Sequence, residues 1–155
     1  MSNGRTYGIA FPFLDSVKGT YLKLTETAND EIRTDLIHLL LTRKGSRYFL
    51  PDFGTRLYEH IFEPMDSPTF NNIESDIREA CEKYMPNLKI TNISIKAASD
   101  IEELNVVTTQ GNVIDRTYTV PNSNEGNMDH TAVIRIDYVI TDDVFNSRDF
   151  IILNI

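Results

Sequence analysis

A short basic and aromatic segment joins two predicted helices in the first half of the chain. Residues 41–64 read LTRKGSRYFLPDFGTRLYEHIFEP. Arg43 and Lys44 follow the predicted helix, at its C-terminal end, where the helix dipole favours cations. Gly45 is a typical residue to end a helix. The sequence Pro-Asp-Phe-Gly at residues 51–54 then predicts a turn. The segment therefore indicates a helix end, a polar corner and the start of a second helix.

Apolar residues spaced three and four apart predict three helices around this corner. The first is expected from about Asp30 to Thr42, with Thr27 or Asn29 as its cap. A short helix should follow at about Thr55–Phe62. A long helix should end at Tyr84, with Ser67 as its N-cap and Pro68 in its first turn. The predicted buried positions are Ile32, Leu36, Leu39, Leu40, Leu57, Ile61, Phe70, Ile73, Ile77, Ala80, Cys81 and Tyr84.

Strands are predicted after the long helix, because the apolar period changes from about 3.6 to two. Leu88–Ala97 alternates with a phase slip at Thr91–Asn92, which is typical of a β-bulge. Ala132–Ile140 alternates most regularly, and Phe150–Ile155 is a terminal strand. This order predicts an α+β fold in which the three helices cover a small antiparallel sheet.

The polar stretch from Ser99 to His130 is predicted to be a surface insertion within a single domain, residues 1–155. It contains a possible hairpin, formed by Val106–Thr108 and Val113–Val120. The stretch Pro121–Asn127 lacks apolar residues and contains several turn formers, so a mobile loop is expected there. No repeat or low-complexity tract divides the chain.

Composition and charge narrow the classes of partner. The 155 residues include 15 Lys and Arg against 23 Asp and Glu, a net charge of -8, which argues against nucleic acid as a partner. Residues 1–56 carry a balance of +2 and residues 57–155 one of -10, a polarity that suits oriented docking as well as simple solubility. Apolar runs are too short to span a membrane, and the N-terminus lacks the order of a signal peptide. A cytosolic product without a membrane partner is expected.

The sequence offers little support for catalysis, a metal or a cofactor. The single cysteine, Cys81, excludes an intrachain disulfide and lies on the apolar stripe of the long helix, where packing is expected. His60 and Glu63 are three residues apart, so they could form half of a metal site. A surface His–Glu pair is favoured, because no third ligand is evident.

Glu26 and Asp35 are a possible pair of carboxylates for glycoside hydrolysis, since their spacing matches that of phage-type lysozymes. The threonine expected six residues after Asp35 is replaced by Leu41, with Thr42 one residue late. The pair also brackets a helix start, where helical rise would separate the carboxyls by more than ~10 Å, too far for either glycosidase mechanism. Lysozyme activity is therefore not expected.

The segment at residues 41–64 resembles the baseplate wedge family of contractile-tailed phages, the gene product W / gene product twenty-five family. This family is related to the type VI secretion baseplate subunit TssE. The resemblance covers residues 7–97 and, more loosely, 131–155, and Gly8–Phe13 resembles the opening of many members. One departure is Met85-Pro86-Asn87, where many members have Glu-Pro-Arg. The matching positions are Thr42, Gly45, Arg47, Pro51, Asp52, Phe53, Gly54, Leu57, Phe62 and Glu63.

The resemblance implies a structural subunit of a phage tail baseplate wedge rather than an enzyme, with no cofactor. Its implied partners are other wedge proteins, the tail sheath protein and possibly tube or hub proteins, in a virion baseplate assembled in the host cytoplasm. A regulatory binding module that shares the fold is an alternative function, and a peptidoglycan hydrolase is a more remote one.

The C-terminal strand is expected either to offer its edge to the sheath or to lie inside the sheet.

Two groups of site residues follow from the resemblance, one structural and one for binding partners. The predicted structural-motif residues are Thr42, Gly45, Pro51, Asp52, Phe53, Gly54 and Phe62. Phe53 is expected to be buried between the first helix and the sheet, and Gly54 to lie where a side chain would be costly. The predicted partner-binding residues are Arg43, Lys44, Arg47, Arg56, Glu63, Pro86, Asn87, Ile151 and Leu153.

Overall fold

The computed structural model describes residues 8–11, 21–60, 62–64, 66–97, 117–119, 132–141 and 147–155. Helices precede most of the sheet along the chain, as the sequence predicts. No helix in these ranges combines the length and apolar character needed to cross a membrane. The helices are α1 (Ala28–Leu41), α2 (Leu57–His60) and α3 (Ser67–Tyr84), and the strands are β1 (Leu88–Ala97), β2 (Thr117–Thr119), β3 (Ala132–Ile140) and β4 (Arg148–Asn154).

The two long helices begin at side-chain caps. Thr27 caps α1 and accepts a hydrogen bond from the Asp30 backbone N–H, which confirms one of the two predicted caps. For α3 the cap is Asp66, whose carboxylate accepts from Thr69 N–H, so Ser67 is the first helical residue and not the cap. An aspartate at this position adds a favourable interaction with the helix dipole.

The core lies between the helices and one face of the sheet. Leu36, Leu39 and Leu40 of α1 are buried as predicted, whereas Ile32 is half-buried and the buried Ile37 was not predicted. Ile61 lies outside the described residues. The other core side chains are Leu57, Ile73, Ile77, Ala80, Cys81, Leu88, Ala132, Ile134, Ile136, Tyr138, Ile140, Ile151, Leu153 and Ile155.

The predicted bulge in β1 keeps its apolar side chains on the core face. Strand β1 pairs with β3 in antiparallel register, and that register shifts between Ile90 and Asn92. Without the extra residue, Ile93 and Ile95 would point away from the helices, because side chains alternate along a strand. With it, Ile93 lies opposite Ile136, so the phase slip in the sequence is a register correction.

The C-terminal strand is an interior strand, which corrects one prediction. The order in the described sheet is β1-β3-β4-β2. Strand β4 is antiparallel to β3 on one side, and Ile152–Asn154 pair in parallel with β2 on the other. Strand β2 therefore covers the outer edge of β4 at residues 152–154. Of the two positions expected for the C-terminal strand, the interior one is correct and the free edge offered to the sheath is not.

The stretch predicted as a surface insertion contributes to the sheet. Residues 117–119 form β2 within the predicted strand Val113–Val120, and β2 lies at the edge of the sheet beside β4. This part of the stretch is therefore not separate from the fold. Among the other predictions for residues 99–130, the strand Val106–Thr108 and the loop Pro121–Asn127 lie outside the described residues.

Candidate functional site

The segment after α1 is held against the end of that helix by hydrogen bonds. The last carbonyls of a helix lack intrahelical partners, and here the following residues supply them. Thr42 N–H donates to His38 O at 3.1 Å, Thr55 Oγ1 to Leu40 O at 2.8 Å, and the Tyr58 hydroxyl to Leu41 O at 3.1 Å. The segment is therefore a fixed extension of α1.

Two glycines allow the chain to reverse direction in this segment. Gly54 has a φ of +107°, and a Cβ atom there would lie 2.2 Å from Thr42 O. Gly45 has a φ of +88° but open space around it. Thr55 N–H donates to Thr42 O at 2.9 Å, so the close approach at Gly54 is what allows the two ends of the segment to pair. The prediction that a side chain at Gly54 would be costly is confirmed.

Phe53 is half-buried and packs on α3, not between α1 and the sheet as predicted. Its ring meets Tyr84 edge to face, with 5.0 Å between the ring centroids. The Arg47 guanidinium lies over the other side at 4.0 Å from the Phe53 centroid, a cation–π geometry. The ring is thus partly buried and packs against the core, although Pro51 and Asp52 before it are exposed.

Four cations form a basic corner around this segment: Arg43, Lys44, Arg47 and Arg56. Arg43, Arg47 and Arg56 are exposed and Lys44 is half-buried. In the part of the chain that the structure describes, none of the four has a carboxylate within 4.0 Å. The nearby Asp52 instead lies 3.7 Å from Lys83 of α3. The four cations therefore form no ion pair with the described residues, although Lys44 and Arg56 line a pocket that also contains Asp76 and Glu79.

A groove of about 390 Å³ runs beside the basic corner. It lies between α1, the segment after it and the turn that joins α3 to β1, and it brings together three predicted partner-binding residues, Arg47, Pro86 and Asn87. Phe53 and Tyr84 form its apolar wall. Residues far apart in sequence thus share one concave surface, which is the usual form of a recognition site.

The groove contains one carboxylate, that of Asp35. Desolvation by the groove wall and the negative charge of Glu31 raise the pKa of Asp35, and His38 opposes them. Glycoside hydrolysis uses two carboxyl groups that face each other across the bond. Glu26 precedes the cap of α1 and is not among the residues that line this groove, so the geometry does not form the pair that the chemistry needs.

His60 pairs with Glu63 as predicted, but it is buried and also contacts Asp76, so it joins α2 to α3. Its Nδ1 lies 2.8 Å from the Glu63 carboxylate and its Nε2 3.1 Å from Asp76, while the side chain is only 9% exposed. Burial lowers the pKa of His60, but hydrogen bonds to the two carboxylates and their charges outweigh it, so the pKa is raised. Glu63 is thus engaged within the chain, and the described residues contain no cluster of three suitable ligands for a metal.

Other predicted site residues fall in different places. Ile151 and Leu153 are fully buried in the core, because they face the helices from an interior strand, so neither side chain is a contact for a partner. Phe62, predicted as part of the structural motif, is 88% exposed and packs against none of the core.

Sequence reasoning missed the tip of the segment after α1. Tyr48 and Phe49 are 98% and 103% exposed, and Leu50 is 45% exposed. We call these three residues the aromatic tip. The signal was present in the sequence, as three consecutive apolar residues inside a polar loop, next to the cations of the basic corner.

Comparisons with known proteins agree with this architecture. The chain is 39% identical over 57 residues to the baseplate wedge protein gp25 of Enterobacteria phage T4, a match that spans 37% of this chain and 43% of the T4 protein. A cryo-EM structure of the anti-feeding prophage baseplate contains a similar chain, with 25% identity, a TM-score of 0.51, and coverage of 57% of this chain and 70% of that one.

A structural likeness also extends to a protein of Geobacter sulfurreducens described as a candidate tail lysozyme. It has a TM-score of 0.59 and covers 86% of this chain and 94% of its own, but with 18% identity it indicates a shared fold alone. The family model described as "Baseplate wedge protein gp25" matches residues 26–111, more than half of the chain and the whole of the basic corner. The chain belongs to the baseplate wedge protein gp25 family.

Proposed function

We propose that this chain is a structural subunit of a phage tail baseplate and binds other baseplate proteins through its basic corner. The observation that carries the proposal is the match of residues 26–111 to the family model. The match includes the segment after α1, which is held by hydrogen bonds and exposes cations that form no ion pair with the described residues. Loops fixed on a scaffold are where binding residues concentrate. The carboxylate of Asp35, without a second one in the groove, favours a structural role over hydrolysis.

The acidic remainder of the chain gives the basic corner an orienting role. Residues 57–155 carry a net charge of -10 in the sequence, whereas the basic corner brings four cations together. Such a surface steers an acidic partner into one orientation, although each exposed ion pair contributes only about 0.2–1 kcal/mol. Arg43, Lys44, Arg47 and Arg56 should therefore act together.

Binding of the tagged chain to the other baseplate proteins of its own genome tests this role. We expect the wild-type chain to form a complex, and the double variant Arg43→Glu/Arg56→Glu to bind about tenfold more weakly at low salt. The control is Lys23→Glu/Arg148→Glu, which reverses two cations that are equally exposed elsewhere. Equal weakening by both variants would show a net-charge effect only, and no complex with wild type would contradict the proposal.

For sheath attachment we propose the free edge of β1, since β4 is enclosed. Strand β1 pairs only with β3 in the described sheet, and Lys89 and Lys96 are exposed near its two ends. Charged residues of this kind protect an edge against indiscriminate pairing, and main-chain hydrogen bonds would provide affinity for an added strand.

Hydrogen exchange tests the β1 edge directly. Adding purified sheath protein should slow exchange in a peptide that covers Leu88–Ala97 and leave a peptide covering Arg148–Asn154 unchanged. Protection of neither strand by a bound sheath protein would place the sheath contact elsewhere. Protection of β4 alone would reverse the assignment of the docking edge.

A further inference from the structure

The aromatic tip, Tyr48, Phe49 and Leu50, is exposed although its side chains are apolar. Two of the three have essentially their whole surface in water. Exposed apolar residues are common singly, but consecutive ones form a patch that usually marks an interaction site. Nothing in the packing of α1 or α3 requires this tip, because the hydrogen bonds that complete α1 come from Thr42, Thr55 and Tyr58.

The tip stands on a closed and rigid base. Gly45 N–H donates to Pro51 O at 2.7 Å, which closes the loop at its neck, and Phe53 N–H donates to Leu50 O at 3.0 Å. Arg47, just before the tip, is held by its contact with the Phe53 ring. A loop fixed in this way loses little conformational entropy when it binds. The tip is therefore prepared for insertion into a partner.

The charges around the tip indicate the chemistry of that partner. Arg43, Lys44 and Arg47 come just before the tip in the sequence and form no ion pair with a described carboxylate. An apolar tip next to a group of cations complements an apolar pocket with carboxylates at its rim. This is also the anatomy of strong protein interfaces, in which a few central aromatic residues dominate binding and polar residues surround them.

We propose that the aromatic tip inserts into an apolar pocket, rimmed by carboxylates, on another baseplate protein. The proposal rests on the baseplate role proposed above and adds the residues that supply most of the affinity. The basic corner then sets the orientation and the rate of association, whereas Tyr48 and Phe49 set the lifetime of the complex.

The test compares the full-length double variant Tyr48→Ser/Phe49→Ser with wild type in binding to the other baseplate proteins of the same genome. The matched control is Tyr21→Ser, because Tyr21 is 97% exposed outside the loop. The double variant should dissociate faster and bind about 100-fold more weakly, and the control should change less than about threefold. All three chains should have equal melting temperatures, because the replaced side chains are exposed.

A photoreactive phenylalanine analogue at position 49 identifies what the tip touches. Cross-linking to one other baseplate protein, at a site lined by apolar and acidic residues, is the expected result. A double variant that binds as tightly as wild type would overturn the tip proposal and leave the baseplate role intact. A wild-type chain that binds no baseplate protein would overturn both proposals.

Two further outcomes would also overturn the tip proposal, by assigning the tip to a different occupant. The first is cross-linking of position 49 to a second copy of this chain, with self-association in sedimentation that the double variant abolishes. The second is wild-type binding to anionic phosphatidylserine vesicles that the double variant loses, since aromatic and basic residues also bind membrane surfaces.

Discussion

The aromatic tip and strand β4 have similar apolar sequences, but the tip is exposed and β4 is buried. The tip reads Tyr-Phe-Leu at residues 48–50 and lies in water, whereas β4 reads Phe-Ile-Ile-Leu at residues 150–153 and enters the core. The difference lies in the backbone. Strand β4 has partner strands on both sides, while the loop closes on itself through Gly45 and Pro51. In this chain, apolar composition therefore does not separate an exposed segment from a core segment, whereas backbone pairing does.

The largest expected effect is on the free energy of unfolding, which a substitution in β4 should lower far more than a substitution in the aromatic tip. Leu153→Ala should lower the free energy of unfolding by about 2–5 kcal/mol, because it leaves a cavity in the core. Phe49→Ala should change it by less than about 0.5 kcal/mol, as expected for an exposed side chain. Urea denaturation of the two variants measures both values. A large loss in Phe49→Ala would mean that the tip packs within the chain, and the comparison would fail.

A smaller effect on the free energy of unfolding tests the pairing of the two ends of the segment after α1. Gly54→Ala should cost about 2–4 kcal/mol, because it combines a positive φ with a collision between Cβ and Thr42 O. Gly45→Ala has a positive φ but open space, so it should cost about 1–2 kcal/mol. Thermal melts of the matched pair give the difference. Equal losses would show that the close approach at Gly54 does not hold the two ends of the segment together.

The smallest effect is the pH dependence of the contribution that His60 makes to the free energy of unfolding. Because its folded-state pKa is raised above the ordinary value of 6.5, its contribution to stability is fully present below pH 6.5 and disappears as pH rises through the folded-state pKa. Both carboxylate partners are partly exposed, so about 0.5–1 kcal/mol is expected. The difference in unfolding free energy between wild type and His60→Gln should be larger at pH 6 than at pH 9. A difference that grows with pH would contradict the assigned ion pairs.

The regular elements could be predicted because each has a strong local signal. The alternation in residues 132–140 and the three-and-four spacing in residues 70–84 hold in the structure, and even the bulge was visible as a phase slip. The position of β4 was not predictable, since the partner on its outer side, β2, is a three-residue strand within a polar stretch. The sequence indicated a strand at Val113–Val120, but no local periodicity encodes its non-local pairing with β4.

The candidate site was predicted in its composition but not in its geometry. The basic corner and the turn at Gly54 follow from local chemistry, because charge and a positive φ are properties of the segment itself. The half-burial of Phe53 depends on the position of Tyr84 in α3. The second hydrogen bond of His60 depends on Asp76, which is sixteen residues away in the sequence. Both are tertiary contacts that no local pattern encodes.

A cryo-EM map of the assembled baseplate that contains this chain tests the central claim most directly. The account predicts that Tyr48 and Phe49 contact another baseplate protein, with carboxylates of that protein near Arg43 and Arg47. It also predicts that no strand of another chain lies beside β4. A map in which residues 48–50 face solvent, while the contacts of the chain are made through other surfaces, would contradict it.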